Sequence, residues 1–166
     1  MADKTLDTLF HDTLKDIYYA ERKILKSLPK MQRAAQSPEL KAAFEKHKGQ
    51  TEGQIERLQA VFDIIGKPAR GKTCDAIEGI LAEGDEIAEE YKGSPALDAG
   101  LLAAAQAVEH YEITRYGTLK RWALVLGLND AAALLDETLQ EESQTDEDLT
   151  GIADAAVNAE AMKTAA

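Results

Sequence analysis

Residues 66–95 read GKPARGKTCDAIEGILAEGDEIAEEYKGSP, and this stretch decides how the segments around it connect. It opens on Gly66 and Pro68 and closes on Gly93, Ser94 and Pro95, residue types that end helices and turn chains. Between them Ile77, Ile80, Leu81 and Ile87 recur at helical spacing, diluted by Gly79 and Gly84, which predicts a shorter helix over about 73–92. A connection of this length is more than two antiparallel neighbours need.

Upstream lie two amphipathic segments. The first, over about 4–36, carries the stripe Leu6, Phe10, Leu14, Ile17, Ile24, Leu28 and Met31, with Pro29 expected to kink it or split off its last turn. Ser37 and Pro38 are an N-cap and a first-turn proline, so a second helix follows over about 38–66 on Leu40, Phe44, Leu58, Val61, Phe62 and Ile65. Downstream, helices over about 95–127 and 130–157 flank a short turn at Gly127–Asp130, with Asn129 or Asp130 expected as the cap. The tail from Asn158 to Ala166 is expected to fray. Both tight turns enforce antiparallel hairpins, and two hairpins joined by one long crossover make an all-α, ferritin-like four-helix bundle, read as one domain over 1–166.

Composition agrees. Alanine, leucine, glutamate and lysine dominate, and no convincing period-two alternation occurs. With 166 residues and 45% hydrophobic side chains the chain can bury a core without staples. Its net charge of −11 argues against a nucleic-acid partner held by bulk charge. Cys74 is the single cysteine, which excludes an intrachain disulfide and a cysteine-rich zinc site. The first residues carry no apolar leader, and the most apolar segment, Ala96–Val108, is too short to span a bilayer, so no membrane partner and a cytoplasmic location are expected. No Gly-rich phosphate loop, Gly-x-Ser-x-Gly elbow or zinc-protease motif is present.

The informative positions are polar residues where the apolar stripes call for leucine. Glu21 falls in the series Phe10, Leu14, Ile17, Glu21, Ile24, Leu28, and the second helix places His47, Thr51 and Gln54 on its seam. Glu112, with Glu109 about one turn earlier, sits on the stripe Leu101, Ala105, Val108, Glu112, Leu119; Glu142 lies between Thr138 and Thr145 on the last. Glu21 precedes the first hairpin turn by about fifteen residues, or ~22 Å, and counting from the second turn brings Glu112 level with Glu142. A carboxylate buried there needs a proton, a cation or a metal. Oxygen ligands with an imidazole suit iron or manganese, and bridging carboxylates can hold two such ions.

Several blocks carry a family resemblance: Ile17-Tyr18-Tyr19-Ala20-Glu21, the run from His47 through Thr51 and Gln54 to Arg57, Val108-Glu109-His110-Tyr111-Glu112-Ile113, Tyr116-Gly117-Thr118-Leu119, and Glu137-Thr138-Leu139 with Glu141-Glu142. Over nearly the whole chain the sequence resembles the YciE/YciF family, which implies a ferritin-like fold related to rubrerythrins, a bacterial stress association and a homodimer. Against the full di-iron pattern of that superfamily, Thr145 stands where the Glu-x-x-His motif carries histidine, and Thr51 and Gln54 take seam positions on the second helix.

Two functions follow. One is a metal-binding stress protein in which Glu21, His47, Glu109, Glu112 and Glu142 hold iron, as a dinuclear centre with weak oxidase activity, or manganese or another divalent ion. The other is a non-enzymatic structural or interaction protein, its buried acids closed into a network with Arg57, Arg115, His47 or tyrosine hydroxyls. His110 reads as solvent-facing or interfacial, His11 as surface, Cys74 as inert, Trp122 as a packing anchor, and Glu141–Asp148 as a mostly solvated acidic face.

Overall fold

Thr5 starts the first helix by accepting the Thr8 N–H on its hydroxyl, at 3.4 Å. In the computed structural model, which describes residues 4–163, α1 runs over Leu6–Ala34, α2 over Pro38–Ile64, α3 over Asp75–Glu90, α4 over Leu97–Val125 and α5 over Asn129–Ile152. A π-helical turn, Ala153–Val157, and the four-residue α6, Asn158–Ala161, follow; no strand occurs among the described residues. α1 packs on α2 and α4, α5 packs on α4 and α2, and the crossover helix α3 lies over α4 and α1. This is the ferritin-like bundle, and no described helix is long and apolar enough to cross a membrane.

Both hairpin-end glycines have a specific task. Gly66 (φ 65°) and Gly127 (φ 74°) end α2 and α4 in the left-handed region. Lys67 N–H returns to Phe62 O at 3.0 Å and Leu128 N–H to Ala123 O at 2.8 Å, the Schellman closure that satisfies terminal carbonyls. Of the two outcomes expected at Pro29, loss of the last turn does not occur: α1 continues to Ala34, with Leu28 and Met31 on either side packed on the core. Two other local expectations are corrected. α5 begins at Asn129 with Leu128 in the cap position and no side-chain cap, because the Gly127 turn delivers the chain directly into the helix. The last long helix is not one α-helix to residue 157; the wider π turn keeps Ala153 and Val157 both buried. The expected fraying reaches residues 164–166, which lie outside the described residues, whereas Asn158–Ala161 is helical.

The crossover is locked at one end by Asp98, in the first turn of α4. Its buried carboxylate accepts the backbone N–H groups of Gln36 at 2.8 Å and Ser37 at 2.5 Å, in the α1–α2 turn. The start of α4 is thereby fixed beside that turn, so α4 runs antiparallel to α1 and brings Glu109 and Glu112 down to the level of Glu21. Just before α4, Ser94 accepts the Ala96 N–H on its hydroxyl at 3.1 Å, and Ala96 holds the cap position.

Candidate metal centre

Each bundle helix turns at least one acid or imidazole inward at mid-height. α2 contributes His47, whose carbonyl accepts the Thr51 hydroxyl at 2.9 Å; α4 contributes Glu109 and Glu112 from successive turns; α5 contributes Glu142. One ligand atom from each of His47, Glu109, Glu112 and Glu142 can be chosen so that all four lie within 4.8 Å of one another. His47 Nε2 is 3.3 Å from Glu109 Oε1 and 4.0 Å from Glu112 Oε2. Glu21, from α1, stands beside this group rather than within it: it interacts with Glu112 and Glu142, and the fully buried Tyr116 donates its hydroxyl to Glu21 Oε1.

The environment is close to dry. Glu21, Glu112 and Glu142 are fully buried, while Glu109 retains 1% and His47 4% exposure. Burial, reinforced by the charge of Glu142, pushes the Glu21 carboxyl up to about 8. Burial together with the neighbouring acids pushes Glu109 and Glu112 well above the usual carboxylate range. Burial also lowers the His47 imidazole, favouring its neutral, ligating form. Tyr116 is pushed well up by burial and by the Glu21 charge, so its hydroxyl stays a donor.

No lysine or arginine among the described residues pairs with these acids. Arg57 turns outward to Glu141 in a two-pronged contact at 2.9 and 2.6 Å, and to Glu137 at 2.9 Å. Arg115 lies 3.9 Å from Asp16 and stacks over the Tyr111 ring at 5.2 Å. Of the partners named in the alternative, structural reading, His47 and the Tyr116 hydroxyl reach the acids, whereas Arg57 and Arg115 turn to Glu141 and Asp16. Nine buried side-chain nitrogen and oxygen atoms among the described residues lack a hydrogen-bond partner, and eight of them belong to Glu21, His47, Gln54, Glu109, Glu112 and Glu142. Native proteins leave few such groups, and a cluster of them is the donor set a hard or borderline cation completes.

Gln54 has a role its seam position did not disclose. Its amide donates to Glu142 and, at 3.1 Å, to Glu141, joining an outer acid to the inner set. Burial works to raise Glu141, but hydrogen bonds from Arg57 and Gln54 outweigh it and hold that carboxyl below its ordinary value. Thr145 directs its hydroxyl at Glu141 O (3.0 Å) and Gln50 Oε1 (3.3 Å) and adds no ligand.

The remaining candidates lie elsewhere. His110 is exposed, 3.1 Å from Asp146, and His11 meets the Phe62 ring edge-on at 6.1 Å. Cys74 is buried, caps α3 by accepting the Ile77 N–H, and contacts Tyr111 Oη at 3.0 Å. Trp122 is half-buried against the core. Glu141 and Asp148 of the acidic run are engaged in ion pairs with Arg57 and Lys46.

A family model described as a domain of unknown function, DUF892, matches residues 5–162. Protein YciF of Escherichia coli (strain K12) is 42% identical over 163 residues, 98% of both chains. Among solved structures, the E. coli stress protein YciF superposes with a TM-score of 0.89 at 42% identity, covering 94% of this chain and 99% of that one. YcfI of Rhodopseudomonas palustris, described as a candidate structural protein, gives a TM-score of 0.86 at 44% identity, covering 89% and 94%.

Proposed function

The chain belongs to the DUF892 family, and from that premise we propose that it is a stress-response protein whose mid-bundle cluster binds divalent metal, iron first and manganese as the alternative. The observation that supports this reading is the concentration of eight buried polar atoms on one imidazole, four carboxylates and Gln54, the carboxylate ones finding no partner outside the acids themselves, with no Lys or Arg paired to them. Four carboxylates carry the charge of two divalent ions, which favours a dinuclear arrangement. His47, Glu109, Glu112 and Glu142 are the ligands, and Glu21, held by Tyr116, completes the acid set on the α1 side.

Bound iron would supply one-electron redox chemistry toward dioxygen or peroxide. The protein's own share is to orient and deprotonate: Tyr116 fixes one oxygen of Glu21 and leaves the other free, and the raised carboxyls release their protons as ligation begins. We place the protein in the cytoplasm as a homodimer, the exposed Leu124 and Val125 at the end of α4 supplying apolar contact surface.

The test is linkage. Titrating Mn²⁺ into chelator-stripped protein at pH 7 should release protons into weak buffer and raise the melting temperature, by the equivalent of about 2.7 kcal/mol at a hundredfold excess over Kd. Glu112→Gln should abolish both responses while leaving the fold intact by circular dichroism. Equal indifference of both proteins to Mn²⁺ and Fe²⁺ would return the cluster to a protonated structural role.

A further inference from the structure

The cluster has one side that is not sealed. Glu21, Glu112 and Glu142 have no exposed surface, and the two members that retain some, His47 and Glu109, both line a cavity of about 20 Å³ on the side toward the α1–α2 turn. Its walls are Leu28, Phe44, Val108 and Leu149, and its accessible surface is almost wholly apolar. A second cavity of about 10 Å³, between α1, α3 and α4, shares Ser27, Met31, Leu81 and Val108 with the first. Asp85, which lines this second cavity, pairs with Lys30 on the surface at 2.8 Å. The two cavities therefore adjoin beneath the crossover helix across the four side chains they share, with Asp85 of the ion pair lining the outer one and His47 and Glu109 lining the inner one.

We propose that the two cavities together form a passage, a binding route for a small uncharged apolar molecule, of the size and polarity of dioxygen, leading to the His47–Glu109 edge of the cluster. The volume decides the size. A cavity needs about 10–15 Å³ on this measure to house one water, so the inner chamber takes a single small molecule and no chain or ring. The wall decides the polarity. Ser27, His47, Glu109 and Thr145 also line the chamber, but almost none of its accessible surface is polar, so a metal cation or a peroxide would lose most of its hydration against Leu28, Phe44 and Val108, whereas an apolar gas loses almost nothing. Polar side chains lie on the other flank, where Gln54 links Glu141 to Glu142, so ions and gas approach the cluster from different sides. The proposal deepens the metal-centre reading by naming the substrate class, but its test needs no metal.

Xenon is the probe, applied under pressure to chelator-stripped protein while methyl resonances are followed by NMR. The methyls of Leu28, Val108 and Leu149 should shift along saturable curves, with Leu81 following. Ser27→Leu, which fills space at a side chain lining both cavities, should weaken the xenon response several-fold. Val108→Ala, which opens space at another such side chain, should strengthen the response, so one variant's misfolding leaves the other to decide. Linear, unsaturable shifts, or responses unchanged in both variants, would overturn the route. So would ordered water in the chamber, seen as water cross-peaks to the Leu28 and Val108 methyls without xenon displacement; that result assigns the passage to a polar ligand. Because the metal is absent throughout, failure here leaves the Mn²⁺ linkage result standing, and failure of that linkage leaves this one standing.

Discussion

His47 Nε2 stands 3.3 Å from Glu109 Oε1 across the bundle core, from α2 to α4, with both side chains at most 5% exposed, and the imidazole nitrogen has no hydrogen-bond partner. Burial lowers the imidazole and raises the carboxyl, so at neutral pH the contact joins two groups that each favour the uncharged state. Buried charge that is not formed is not stabilising, and this sets the pH response of the metal-free protein.

Metal-free stability should therefore fall as pH rises from 6.5 to 8. Glu21 ionises near 4.5 unfolded and about 8 folded, so the native state binds more protons throughout that window, and Glu109 and Glu112 act in the same direction. His47 has the opposite sign, but its contribution is complete once pH passes its unfolded value of 6.5. Calorimetry in chelator should show a declining melting temperature, and Glu112→Gln should flatten the decline and melt higher than the parent at pH 8. A difference of 1 kcal/mol would appear as roughly 2–4 °C in a chain of this size. A melting temperature that climbs over the same range contradicts the protonated cluster.

Gln54→Glu should separate the needs of the fold from those of the metal. A fifth acid beside Glu142 loses the donor that now serves Glu141 and Glu142 and adds like-charge repulsion, so the chelated protein should melt several degrees lower. With Mn²⁺ present the same acid is an added ligand, and the metal-induced rise should exceed that of the parent. A smaller rise would remove Gln54 from the neighbourhood of the bound ion.

Asp98→Ala should be the most damaging substitution outside the cluster. It removes the charged acceptor of the part-buried N–H groups of Gln36 and Ser37, and a hydrogen bond to a charged group contributes about 1.5–3 kcal/mol. Asp98→Asn keeps one acceptor oxygen and should lose about half as much. Urea denaturation distinguishes the two; equal losses would show that charge rather than acceptor count holds the turn.

The fold was legible because its signals are local and repeated. Ser37-Pro38 and Gly127 mark turns by backbone chemistry, and the stripes around Leu14 and Leu119 repeat over many turns. The acids were legible for the complementary reason: Glu21, Glu112 and Glu142 interrupt apolar series that run on either side of them. What escaped was set by partners far along the chain. Asp98 reads as an ordinary first-turn acid until the α1–α2 turn arrives beside it, and nothing local to Gln54 announces that its amide joins Glu141 to Glu142. Arg57 and Arg115 looked able to neutralise the cluster because spacing places them near it, but each side chain turns instead to a half-buried acid nearer the surface, Glu141 and Asp16.

At Gly100, α4 packs closely against the crossover helix. A Cβ at this position would lie 2.6 Å from Ile87 Cγ2, and that methyl belongs to a β-branched side chain with little rotameric freedom to withdraw. Gly100→Ala should thus destabilise although alanine is the better helix former, by about 1–3 kcal/mol as overpacking usually costs. Ile87→Ala in the same chain removes the obstructing methyl, and the double variant should be more stable than the sum of the two single losses. Thermal denaturation of the four proteins completes the cycle. Additive losses would mean that α3 yields by moving off α4, and the passage beneath it would then widen and admit xenon more readily than in the parent.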